Sequence, residues 1–161
     1  LVGSGNPEEG ELRPQLLDRF GLSVDVRSPS DIEERVEVIR RRHAFETATD
    51  CFMAKWQAED AKVREAIVRA RTALPLTATP DPLLHDCAEL SVALGTDGLR
   101  GELTLLRAAR ALAAFEGSAA PDRSHLRRVA PLAMSHRMRR DPLDDASSVS
   151  RVERAVSEVL A

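Results

Sequence analysis

Three residues of this 161-residue chain have a type and a setting suited to chemistry on an anion: Asn6, Arg19 and Arg100. Asn6 is a polar residue just past the apolar pair Leu1-Val2, where a strand-like end runs into glycines. Arg19 lies between a short helical stretch and a turn, in Leu16-Leu17-Asp18-Arg19-Phe20-Gly21. Arg100 opens the most apolar helical stretch, in Gly98-Leu99-Arg100-Gly101. A cation at a helix start opposes the helix dipole, so an anion from outside that helix is one reason for it to be there. A guanidinium fork suits a phosphate. The competing account is that each is an ordinary solvated side chain.

Other chemistries find less support. The histidines His43, His85, His125 and His136 show no metal-ligand spacing, and neither Cys51 nor Cys87 belongs to a CxxC pair. Both cysteines read as reduced, and Cys87 falls on an apolar helical stripe, where packing is its expected role. There is no GxSxG, and Glu8-Glu9, being adjacent loop residues, read as solvated. No G-x-x-x-x-G-K-[ST] occurs, and Gly3-Ser4-Gly5-Asn6 is too short for a phosphate loop and lacks its lysine.

The elements that must position these residues are mostly helical. Hydrophobic residues make up 43% of the chain but aromatic ones only 3%, so a core must be built from aliphatic side chains and alanine, which suits helix-on-helix packing. The net charge of −3 argues against a dedicated nucleic-acid binder, and no apolar run approaches the ~20 residues of a membrane span. Residues 6–10 read as a loop, and Pro14 opens a short helix over residues 13–18. Leu22, Val24 and Val26 alternate with polar residues as in a strand. Ser28-Pro29-Ser30-Asp31 reads as a capping box with proline at the first helical position. The helix after it carries Ile32, Val36 and Ile39 on one face and ends in the solvated run Arg40-Arg41-Arg42. A second helix is expected over residues 50–74, with Val63, Ile67, Ala70 and Leu74 on one face. Pro75, Pro80 and Pro82 then mark a boundary. Beyond them come three apolar stripes. The first is Leu83, Cys87, Leu90 and Leu94, ended by Gly95. The second is Leu99, Leu103, Leu106, Ala109, Leu112 and Phe115, ended by Gly117. The third is Leu126, Val129, Ala130 and Ala133, with Pro131 expected to kink or break it. Val149, Val152, Val156 and Val159 predict a last helix after Ser147-Ser148. The fold class expected is mostly α: the C-terminal edge of an α/β core, a long helical connection, and a small helical bundle.

Four stretches together resemble the I-type ATPase subunit of magnesium chelatase, an AAA+ family. They are GNPEEGELRPQLLDRFGL (residues 5–22), DIEERVEVIRRR (31–42), TDGLRGELTLLRAARALAAFEG (96–117) and SHRMRRDPLD (135–144). The flavour is that of the bacterial bacteriochlorophyll pathway. The resemblance implies a ring ATPase with nucleotide bound between neighbouring subunits. It makes residues 1–48 the C-terminal part of the AAA+ core, 49–78 a helical connection and 79–161 the lid. It implies sensor 1 for Asn6, an arginine finger acting in trans for Arg19, sensor 2 for Arg100, and an interface position for Asp18. It also implies ATP and Mg²⁺ as cofactors of the full-length protein and a homo-oligomeric, hexameric ring. The partners it implies are the chelatase's D-type and porphyrin-binding H-type subunits, in a bacterial cytoplasm. The activity implied is ATP hydrolysis coupled to Mg²⁺ insertion into protoporphyrin IX.

The chain departs from that pattern in lacking the Walker A lysine, the Walker B acid and most of the sheet, so ATP binding by this chain alone is not expected. It starts with Leu1, at what reads as the end of a strand, and a longer parent protein is expected. The integrin-like domain and acidic linker of the related D-type subunit are also absent, which favours the I-type. Two alternatives stay open: a non-enzymatic helical adaptor, and another AAA+ remodeller of the MoxR-like kind.

Overall fold

In the computed structural model the residues described are 1–6, 13–96, 98–138 and 147–161. Residues 7–10 of the loop expected at 6–10, with the Glu8-Glu9 pair, and residues 139–144 of the fourth matching stretch lie outside them. Among the described residues the regular structure is helical: α1 (Pro14–Leu17), α2 (Ile32–Thr47), α3 (Thr49–Ala73), α4 (Asp81–Ala93), α5 (Arg100–Glu116), α6 (Arg123–Met134) and α7 (Ser148–Val159). Short 3₁₀ turns follow α3 at Leu74–Leu76 and α6 at Ser135–Arg137.

The alternation at residues 22–26 does not become a strand. Leu22, Val24 and Val26 are exposed, the last at 87%. A strand is held by ladder hydrogen bonds to a neighbour, and among the described residues none lies beside this segment. The α2 cap also differs from expectation. Asp31 alone is the N-cap, accepting from Glu34 N at 2.9 Å, and Pro29 lies before the helix. The arginine run is not at the helix end. Arg40 and Arg41 pair with Glu37, and Arg42 with Glu46, at i+3 and i+4 spacing inside a helix that continues to Thr47.

Ala48 alone separates α2 from α3. Threonines flank the break, with Thr47 Oγ1 donating to His43 O at 2.8 Å and Thr49 Oγ1 to Phe45 O at 2.7 Å. Across this corner Phe45 meets Phe52 edge-on at 5.8 Å, and the Arg41 guanidinium lies 4.9 Å from the centre of the Trp56 ring. No residue of α2 or α3 is buried.

The core sits in the C-terminal half. Leu83, Cys87, Leu90 and Leu94 are all buried, as are Leu126, Val129, Ala130 and Ala133 and, on α7, Val152 and Val156. Burial pushes the Cys87 thiol up to about 12, so it packs as a small hydrophobe. On α5 the buried row is Gly101, Leu105, Ala109, Ala113 and Ala114, not the leucine-rich stripe expected. Leu99, Leu103 and Phe115 are exposed, while Leu106 and Leu112 are partly buried against the core. Where two helices approach closely, the small side chains sit at the seam, and hydrophobicity alone favours the bulky neighbours.

Several ends are well specified. Gly117, at φ 79°, ends α5 in the left-handed conformation that glycine adopts without strain. Asp122 caps α6 through Ser124 N and His125 N at 2.9 and 3.2 Å, and Ser147 caps α7 through Ser150 N at 3.1 Å. Pro131 does not break α6. The helix runs three residues past it and then tightens into the 3₁₀ turn. Arg110 ties α3 to this core, donating to Leu74 O at 3.2 Å and Thr77 O at 2.9 Å, carbonyls at a helix C-terminal end.

Leu126 is fully buried and Val38 is 56% exposed. Leu126→Ala should therefore cost about 2–5 kcal/mol in chemical denaturation, and Val38→Ala about 0.5 kcal/mol or less.

Candidate phosphate-sensing site

The turn after α1 is built by backbone bonds of i+3 type: Arg19 N to Leu16 O at 3.0 Å and Phe20 N to Leu17 O at 3.1 Å. Its one acidic side chain, Asp18, faces the start of α5. There Arg100 Nη1 donates to Asp18 Oδ2. The anion that this N-terminal arginine needs is thus supplied by a carboxylate 82 residues earlier. The pair is half exposed, at 58% for Arg100 and 41% for Asp18. Such a pair contributes about 0–1 kcal/mol, so a phosphate could displace the carboxylate at little cost. Arg19 itself is exposed, and no ion pair or side-chain hydrogen bond joins it to another described residue.

Behind Asp18 lies a residue to which sequence pattern assigns no role. Arg137, in the 3₁₀ turn after α6, has a side chain only 4% exposed. Its guanidinium donates from Nη2 to Phe20 O at 2.7 Å and Asp18 O at 3.2 Å, and from Nη1 to Gly21 O at 3.1 Å. Nη1 also donates to Ala133 O, and Nε faces Asp18 Oδ1 at 3.5 Å. Desolvation lowers the Arg137 pKa from its ordinary value, opposed by the Asp18 charge. The stem packs beside Gly101 of α5, where a Cβ would stand in ordinary contact at 3.4 Å from Met134 Cε and 3.6 Å from Arg137 Cδ. Ser23 N donates to Leu132 O at 2.9 Å, a further tie between this segment and α6.

His136 adds a polar edge. Its Nε2 lies 3.1 Å from Phe20 O and 2.6 Å from Arg137 Nη1. A neutral ring nitrogen donates to the first or accepts from the second, so one of the two is a hydrogen bond at a time. Burial first, and the Arg137 charge second, lower the His136 pKa.

The expected residues therefore fall out as follows. Asp18 and Arg100 are brought into contact, and Arg19 stands beside them on the same turn. Asn6 is exposed in the segment that leads into residues 7–12. Arg137 and His136 lie in the SHRMRRDPLD stretch, yet nothing in their spacing pairs them with a turn 116 or more residues away. The other distant ion pair of note, the half-exposed Arg123 forking onto the buried Asp86 carboxylate at 3.0 Å for both bonds, joins α6 to α4. Among the described residues no group of three or more His, Cys, Asp or Glu side chains could hold a metal ion, and no helix is long and apolar enough to cross a membrane.

Residues 84–158 match the AAA lid domain family. The chain is 71% identical over 160 residues to the magnesium-chelatase 38 kDa subunit of Cereibacter sphaeroides, covering 99% of this chain and 48% of that protein. Over nearly its whole length the chain is similar to magnesium-chelatase 38 kDa subunits. It is also 42% identical over 159 residues to the magnesium-chelatase subunit ChlI of Synechocystis sp., covering 99% of this chain and 44% of that one. A solved chain from a complex between subunits BchI and BchD of magnesium chelatase is 54% identical, with 99% of this chain and 46% of that chain covered and a TM-score of 0.38. The chain thus spans about half the length of the magnesium-chelatase relatives it matches.

The lowered His136 pKa gives a pH dependence of known sign. The fold resists protonating this ring, and the unfolded chain takes up the proton near its ordinary pKa of about 6.5. The stability linked to His136 is full above that pH and is lost as the pH falls below it. Melting temperature should drop more steeply between about pH 7 and pH 5 in the wild type than in His136→Gln, as followed by circular dichroism.

Proposed function

We propose that this chain forms the finger, sensor and lid region of the ATP-hydrolysing subunit of magnesium chelatase. In the proposed division, residues 1–48 belong to the C-terminal part of the AAA+ core, 49–78 connect, and 79–161 form the lid. The observation that carries this reading is the convergence of the Asp18-Arg19 turn on Arg100 at the N-terminus of α5. The likeness in sequence to magnesium-chelatase 38 kDa subunits supports it.

Arg19 acts as the arginine finger on the γ-phosphate of a neighbouring subunit. Its exposed guanidinium has no ion pair with a described residue to give up before it reaches a phosphate. A finger of this kind neutralises charge that builds up on the transferring phosphoryl group, and is worth roughly 10³ to 10⁵ in rate. Arg100 acts as sensor 2. It lies on a helix whose N-terminal end itself favours anions, and it exchanges the Asp18 carboxylate for nucleotide phosphate. Asn6 acts as sensor 1, a neutral amide that orients the attacking water without adding charge. Asp18 sits at the subunit interface and sets the finger's position. ATP and Mg²⁺ serve the full-length protein, which couples hydrolysis to Mg²⁺ insertion into protoporphyrin IX. A hexameric ring, the D-type subunit and the porphyrin-binding H-type subunit complete the assembly, in the bacterial cytoplasm.

Arg19→Ala in the full-length protein should lower ATP turnover by about 10³-fold or more while nucleotide affinity stays within a few-fold. Normal turnover in a steady-state assay would remove Arg19 from the site. Arg100→Ala should weaken nucleotide affinity and turnover together; if both stay at the wild-type level, Arg100 is a surface residue paired with Asp18.

A further inference from the structure

We infer that Arg137 is a positioning residue for Arg19: by holding the backbone of the Asp18–Gly21 turn from the lid, it makes the finger move with the lid of its own subunit. The inference rests on the proposed finger role of Arg19 and adds to it a residue with no role so far.

The geometry has three parts. Arg137 donates to the carbonyls of Asp18, Phe20 and Gly21 at 3.2, 2.7 and 3.1 Å, which are the residues flanking Arg19 on both sides. The same guanidinium donates to Ala133 O, so it is fastened to α6 at the other end. Arg100 reaches Asp18 from the start of α5, and the Arg137 stem lies beside Gly101 of the same helix. Arg19 is exposed and has no ion pair or side-chain hydrogen bond to another described residue. Its reach is therefore set by the turn, and the turn is set by the lid.

This arrangement suits one guanidinium and no other side chain. Three carbonyls that converge on a buried fork need several N–H donors in fixed directions, which a lysine ammonium does not supply. The Asp18 and Phe20 carbonyls are part-buried, so leaving either without a donor is costly, whereas the bond to Gly21 O is exposed and is the weaker tie. A nucleotide that draws Arg100 away from Asp18 changes the lid in one subunit, and the clamp passes that change to a finger aimed at the next subunit's nucleotide. A misplacement of about 1 Å at such a group is enough to cost about 10²-fold in rate.

The test uses the full-length protein with Arg137→Lys and Arg137→Ala, together with Arg19→Ala. Two readouts are needed. The first is hydrogen exchange at the amides of Arg19, Phe20 and Ser23, which are hydrogen-bonded in the clamped turn. The second is kcat against nucleotide affinity. The expected result is faster exchange confined to this turn and a fall in kcat of about 10²-fold, with affinity within a few-fold, in both Arg137 variants. Arg137→Lys keeps a cation and an aliphatic stem, so it remains informative if Arg137→Ala fails to fold. Unchanged exchange at the three amides in Arg137→Lys would overturn the clamp. Faster exchange with wild-type kcat, while Arg19→Ala is inactive, would overturn the positioning role alone. Wild-type turnover in Arg19→Ala would overturn the finger reading itself, and that single variant separates the two failures.

Discussion

A single buried guanidinium organises the N-terminal segment. Arg137 gives up most of its hydration to sit beneath the turn at residues 18–21, and it is repaid by four backbone carbonyls and the flank of the Asp18 carboxylate. Its two Nη groups are paired with carbonyls, while Nε, 3.5 Å from Asp18 Oδ1, is buried without a hydrogen-bond partner among the described residues. The described residues before α2 bury none of their large apolar side chains fully, so hydrogen bonds rather than core packing decide where this segment lies. Arg137, the Ser23 to Leu132 bond and the Arg100 to Asp18 pair are those bonds.

The contrast with the C-terminal half is one of energetics. There, aliphatic side chains from α4, α5, α6 and α7 bury one another, and the buried polar side chains among the described residues are Thr77, Asp86, Ser91 and His125. This core gives α5 and α6 fixed positions, and Arg100 and Arg137 project from the ends of those two elements. The rigid half thus supplies the cations, and the weakly held half supplies the carboxylate and carbonyls they act on. In the proposed function that division has a use: a site that must respond to phosphate needs one partner that is fixed and one that can be released. The half-exposed Asp18–Arg100 pair is the releasable contact, and the desolvated Arg137 fork is the permanent one.

The α2–α3 arm stands apart from both. It reaches the bundle through α3, whose C-terminal carbonyls are held by Arg110. Along its length it is stabilised by local means, with ion pairs at i+3 and i+4 and an aromatic corner at Phe45, Phe52 and Trp56.

Much of this was legible in the residues. Helical periodicity found α3, α4, α6 and α7 because their apolar positions repeat along a single face, and Gly95 and Gly117 marked stops because only glycine takes the left-handed turn freely. Arg100 stands out in the sequence because a cation at a helix start conflicts with the dipole, a purely local signal. Three features needed the tertiary structure. The buried face of α5 runs through Gly101, Ala109 and Ala113, because helix approach distance, which no single helix encodes, selects small residues. Residues 22–26 stay extended without a strand, because alternation states a preference that only a neighbouring strand can satisfy. The pairing of Arg137 with the Asp18–Gly21 turn joins residues more than 115 positions apart through backbone carbonyls, which every residue carries. An acceptor common to the whole chain leaves no trace in residue type, so only the folded arrangement could reveal which three of them this arginine holds.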